Sequence, residues 1–151
     1  MRNLVAACGG ILALAACGTS QAREPAGWSY AYADGVATAT ERDERGRVTA
    51  TLACRPPSGD IVLSDFALAR HGRRAATSSV RIGEMSVDVP SRVEGNGRNR
   101  ALVINLPQRP PILAAIQPAD SLSVMVNNQT HTFREGGPQR LKDIAFACWG
   151  S

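Results

Sequence analysis

The sequence predicts a mainly β fold: an antiparallel β-sandwich or small barrel of about eight or nine short strands with one or two short helices. Three observations lead there. Apolar and polar residues alternate through most of the first two thirds of the domain, the period of a half-buried strand. Turn-forming pairs and Gly- or Pro-rich breaks punctuate these runs at short intervals. A helical period shows only near the C-terminus, where Leu141, Ile144, Ala145 and Cys148 fall on one face.

Taken in order, Trp28, Tyr30 and Tyr32 recur at every second residue up to Asp34-Gly35, and "VATATE" follows. Residues 28–40 therefore read as a hairpin. "ERDERGR", residues 41–47, reads as a charged, solvated loop; arginines interrupt its acids and spoil the alternating oxygens a calcium loop needs. Val48, Ala50, Leu52 and Cys54 face one way and Thr49 and Thr51 the other, a half-buried strand with its cysteine on the core side. The turn at residues 56–60 leads into "IVLSDFALAR", a strand bent near Ser64-Asp65. "HGRR" at 71–74 is a loop and "SSVRIG" a short strand. Met85, Val87 and Val89 then alternate with Ser86 and Asp88 as far as Pro90.

"GNGRNR", residues 95–100, begins like a dinucleotide-binding fingerprint. It ends in Arg and no helix follows, so it reads as a turn. "ALVINL", residues 101–106, is continuously apolar, as a central strand would be. "ILAAIQ" is a short helical turn. "SLSVMVN" and "QTHTF" pair across Asn127-Asn128. Residues 138–147, with Pro138 at the start, form a closing helix that lies on the sheet and carries the chain to Cys148.

The segment ahead of the domain reads as an address. The apolar run Leu4–Ala16 follows Arg2 and is shorter than the roughly 20 residues of a membrane-spanning helix. Ala13-Leu14-Ala15 suits ordinary signal peptidase. Leu14-Ala15-Ala16-Cys17 resembles the lipobox of bacterial lipoproteins, an aliphatic residue and two small ones before a cysteine. The resemblance implies cleavage before Cys17 and diacylglycerol on its sulfur. Several acyl chains then make anchoring effectively permanent. Val5-Ala6-Ala7-Cys8 has the same local pattern but comes too early to follow a full apolar run. The expected organisation is a lipoprotein signal peptide at 1–16, a lipidated Cys17 with a flexible tether to 27, and a single domain at 28–151. By analogy with Gram-negative lipoproteins, Gly18 in place of Asp points to the outer membrane, with the domain facing the periplasm.

The formal net charge is +4. Lys142 is the only lysine, and the arginines are spread among acids instead of clustering as in a nucleic-acid binder. No nucleic-acid partner is expected. Beyond Cys8 and Cys17, Cys54 and Cys148 remain. An even pair in an oxidising compartment reads as a disulfide. Two buried free thiols or a redox pair are the rival readings, and the absence of C-x-x-C argues against a thiol oxidoreductase.

The string "LPQRPPILAAIQPADSLSVMVNNQTHTFREGGPQRLKDIAFAC" resembles the C-terminal half of small exported proteobacterial β-sandwich proteins of the invasion-associated locus B type and of the periplasmic accessory type of type VI secretion. The likeness spans residues 48–148. It implies a sandwich, a disulfide and a non-enzymatic envelope role, and carries over no functional residue.

Few residues carry chemistry. His71 and His131 are the only histidines, too few for a zinc site once the cysteines are paired. G-x-S-x-G is absent. No catalytic residue, metal or cofactor is expected. Arg70, Arg73 and Arg74 form the one dense basic patch, either an anion or partner grip or a solvated hairpin tip. Trp28, Tyr30 and Tyr32 are expected to pack in the core, with a glycan-stacking surface as the alternative. Trp149 is expected to cover the disulfide. These features lead to a non-enzymatic, lipid-anchored envelope protein that binds or scaffolds a protein or glycan. A lysozyme-inhibitor-like lipoprotein is the alternative, and an unrecognised hydrolase is less favoured.

Overall fold

The computed structural model describes residues 25–54, 59–72, 76–106, 111–114, 116–117 and 120–150. Nine strands run β1 (Gly27–Ala33), β2 (Val36–Arg42), β3 (Val48–Cys54), β4 (Ile61–Asp65), β5 (Thr77–Ile82), β6 (Met85–Glu94), β7 (Ala101–Leu106), β8 (Leu122–Val126) and β9 (Gln129–Thr132). Helix α1 (Pro111–Ala114) is a single turn, and α2 (Gly137–Trp149) closes the chain. The strands form one antiparallel sheet in the order β1-β2-β3-β4-β7-β6-β5-β8-β9, curled into a half barrel.

Local chemistry accounts for the turns. Asp34 and Gly35 have φ of 52° and 72°, and Asn127 and Asn128 have φ of 46° and 63°. Both central residues of a two-residue hairpin loop need positive φ for its twist to match the strands, and Gly, Asn and Asp tolerate it best. The curl depends on β6, the longest strand. Its residues Met85–Pro90 pair with β5 and Ser91–Glu94 pair with β7. Pro90, which has no N–H to give, sits where the strand changes partner.

One apolar cluster fills the concavity. Alternation puts Leu52, Ile61, Leu63, Leu102, Ile104 and Leu106 on the inner face of β3, β4 and β7, all essentially inaccessible. Val80, Ile82, Leu122, Val124 and Val126 face them from β5 and β8. As its unbroken apolar run predicts, β7 is central, between β4 and β6. Helix α2 lies over β2 and β3 and buries Leu141, Ile144 and Cys148. Its first residue, Gly137, approaches so closely that an added Cβ would stand 3.3 Å from Leu122 Cβ and 3.4 Å from the Trp28 indole nitrogen. Among the described residues no helix is long and apolar enough to cross a membrane.

The helix runs two residues past its expected end, so Cys148 sits on it. This brings Cys148 to Cys54 at the end of β3, with Cα atoms 6.0 Å apart, the separation of a disulfide. Trp149 Nε1 donates to the Gly59 carbonyl at 3.0 Å, holding the same helix end against the approach to β4. A link across 94 positions constrains the unfolded chain strongly. Replacing Cys54 and Cys148 by Ser is expected to cost about 4–5 kcal/mol of unfolding free energy on the chain-entropy account. Denaturant titration of oxidised wild type against the double variant measures it, and equal midpoints would refute it.

Candidate functional site

Among the described residues, besides three buried serines, two buried carboxyl groups and the half-buried His131 interrupt the apolar interior. Glu41 and Asp65 are 1 % and 0 % exposed. They flank one small residue: Glu41 on β2 pairs across the sheet with Ala50, and Ala50 pairs with Asp65 on β4. Ala50 leaves open the space that a larger side chain would fill between the two carboxylates. From the opposite side β9 lowers His131 toward this row. His131 Nδ1 lies 2.8 Å from Asp65 Oδ2, and its Nε2 lies 4.0 Å from Glu41 Oε2.

Each carboxylate has further donors, as burial of charge requires. Asp65 Oδ1 accepts the Leu68 N–H at 2.8 Å, turning the chain as β4 ends. Glu41 Oε1 accepts the Arg134 N–H at 2.6 Å, and its Oε2 accepts the Thr49 hydroxyl. The His131 ring lies tilted against Phe133, with centroids 4.6 Å apart, and Phe133 meets Trp28 edge-on at 5.9 Å. Trp28 Nε1 donates to the Arg134 carbonyl at 3.3 Å. Burial pushes the His131 imidazole down, but the hydrogen bond to Asp65 and the charges of Asp65 and Glu41 outweigh it and hold it above its ordinary value.

Chemically this is an ion cluster. An aspartate on Nδ1 is the orienting half of a hydrolytic triad. Here Nε2, which takes the nucleophile's proton in such triads, faces a carboxylate. Among the described residues no group of three or more His, Cys, Asp or Glu is placed to hold a metal ion.

The candidate residues read from the sequence fare unequally. Cys17, Arg73 and Arg74 lie outside the described residues. Arg70 is exposed in the turn after β4, and the carbonyl of its neighbour His71 accepts the Asn127 side-chain N–H at 2.7 Å. Cys54 and Cys148 come together. The aromatic stripe divides: Trp28 packs against the core, but Tyr30 and Tyr32 are 41 % and 59 % exposed, because β1 is an edge strand. The charged loop at 41–47 is shorter than its composition suggests, since Glu41 and Arg42 complete β2. The true turn begins at Asp43, whose Oδ1 accepts the N–H groups of Arg45 and Arg47. The Arg47 N–H leads in pulling the Asp43 carboxyl down to about 2.

Comparison with known proteins matches this chain to no family model, no curated protein and no solved structure. Its likeness to exported β-sandwich proteins therefore rests on the residue pattern quoted above.

Breaking a buried ion cluster strands the remaining charges. Asp65→Ala should leave the His131 imidazole and the Leu68 N–H without their carboxylate and destabilise the fold by about 3–5 kcal/mol. Chemical denaturation tests this. A loss no larger than that of a surface substitution, within about 0.5 kcal/mol, would mean the cluster contributes nothing.

Proposed function

We propose that this protein is a cell-envelope lipoprotein that works by contact and not by catalysis. Cys17 anchors it in the outer membrane, the residues up to 27 tether it, and the half-barrel domain in the periplasm binds or scaffolds an envelope protein. The observation that carries the binding part is the open edge of β1. Sheets usually protect a free edge with charges, proline, bulges or short length. The other edge, β9, is four residues long. In contrast β1 is seven residues, carries no charge from Gly27 to Ala33, and is exposed from Ser29 onward. Among the described residues it pairs only with β2. Unpaired backbone groups beside exposed tyrosines suit the addition of a partner strand.

The address is supported by the lipobox pattern and by the Cys54–Cys148 pair, since a bond of this kind persists in oxidising compartments. The likeness to exported β-sandwich proteins supports a non-enzymatic role.

Two experiments test the reading. Cys17→Ser should move the protein from the membrane to the soluble periplasmic fraction and abolish palmitate incorporation. An unchanged distribution would remove the lipoprotein reading. Separately, oxidised residues 18–151 are immobilised and exposed to detergent-solubilised envelope and to purified peptidoglycan. One stoichiometric protein partner is expected, and Ala31→Lys, which charges the edge, should weaken its retention at least tenfold. Retention unaffected by that variant would exclude the β1 edge and direct attention to Arg70, Arg73 and Arg74. Retention of glycan alone would replace the protein partner with stacking on Tyr30 and Tyr32.

A further inference from the structure

We propose that Glu41, Asp65 and His131 form a pH-sensitive latch, which holds edge strand β9 across the mouth of the half barrel while His131 is protonated and frees it when His131 is neutral. The inference starts from how little else holds β9. It has four residues, pairs only with β8 among the described residues, and exposes Gln129, Thr130 and Thr132. Its turn is tied by the Asn127 side chain to the His71 carbonyl. Among the described residues its ties to β1 and to the strands beyond β8 centre on one place: His131 to Asp65 and Glu41, the Arg134 N–H to Glu41, and Phe133 with the Arg134 carbonyl against Trp28, with the Arg134–Glu44 ion pair at the surface beside them.

The groups facing the imidazole leave it as the cation of this site. From β2 comes Glu41, from β4 Asp65, from β3 the neutral Thr49 and from β8 the apolar Val124, its cross-strand partner. The Arg134 guanidinium turns outward to Glu44 at 2.8 Å. On α2, Arg140 is engaged with Asp143 at 2.7 Å. Two carboxylates inside an apolar shell need a nearby positive charge. An imidazolium supplies it on both ring nitrogens. A neutral ring can still donate from Nδ1 to Asp65 but takes its positive charge away from Glu41, whose other donors among the described residues are the Thr49 hydroxyl and the Arg134 N–H.

The direction of the dependence follows. The folded-state His131 value lies above the ordinary 6.5. The latch is therefore fully engaged below 6.5 and is lost as pH rises through that raised value. Opening would bare the edge of β8, whose Leu122, Val124 and Val126 are buried and apolar. The sheet would then offer a second and stickier edge only above that raised value.

Amide exchange and histidine NMR on the oxidised domain test this without any variant. His131 should titrate above 6.5. The amides of Gln129–Thr132, after correction for intrinsic exchange, should lose protection on going from pH 6 to pH 8.5, by about tenfold for each pH unit of the upward shift. The amides of β3 and β7, which the apolar core holds, should stay better protected than those of β9 at both pH values. His131→Gln, which keeps a donor for Asp65 but cannot titrate, should make β9 protection independent of pH. Titration at or below 6.5 would overturn the proposal, and so would β9 protection that ignores pH in the wild type. Protection of β9 equal to that of β3 and β7 at each pH would also overturn it, because β9 would then open only with the whole domain.

Discussion

Two buried carboxyl groups inside a half barrel are the constraint to which much of this structure answers. Glu41 and Asp65 stand either side of Ala50 on the concave face, where every other neighbour in those strands is apolar. Charge in such a place persists only when it is paired and hydrogen-bonded. The chain meets that demand from several elements at once. Thr49 comes from β3, the Leu68 amide from the turn after β4, His131 from β9 and the Arg134 amide from the segment that leads into α2. The cluster thereby specifies how the far end of the sheet folds back over the near end, which apolar contacts alone would leave loosely defined.

The opposite end of the domain is held by different means. Cys54 and Cys148 meet there, and the Trp149 indole engages the Gly59 carbonyl. Helix α2 runs between the two fastenings, with Gly137 close against Trp28 and Leu122 at one end and Cys148 at the other. The bend of β6 at Pro90 lets the two halves of the sheet face each other, so that the helix and the β8–β9 hairpin close over one core.

The two sheet edges differ in kind. The edge at β1 is long, uncharged and exposed, and nothing in its composition prevents a strand from adding to it. The edge at β9 is short and polar, and it is fastened through a titratable group. The contact role and the latch proposed above would use these edges differently, the first through the long uncharged strand and the second through the tie of β9 to Asp65 and Glu41. Contact specificity of this type comes from strand register and side-chain fit rather than from a cavity.

Much of the architecture was legible without coordinates. Alternation marks most of the strands, an unbroken apolar run marks β7, paired positive-φ formers mark the hairpins at Asp34-Gly35 and Asn127-Asn128, and the helical period marks α2 with its cysteine on the buried face. These are local properties, and a period needs only its own neighbours to be read. The ion cluster left a fainter trace. Glu41 continues the inward series Ala37, Ala39; Asp65 continues Ile61, Leu63; His131 precedes Phe133 at the same parity. Parity is the signal that points all three inside, but each taken singly is a polar residue that burial disfavours, so Glu41 reads as part of a solvated loop and Asp65 as a bend. Parity likewise pointed Tyr30 and Tyr32 inward, and only the edge position of β1 left them uncovered. The sequence by itself determined the mainly β class, most of the strands and the closing helix, because those follow from short-range periodicity; it made the Cys54–Cys148 pairing the favoured expectation by count. Tertiary structure decided which charges could be buried and which aromatics stayed exposed, because both depend on what a distant strand brings to the other side.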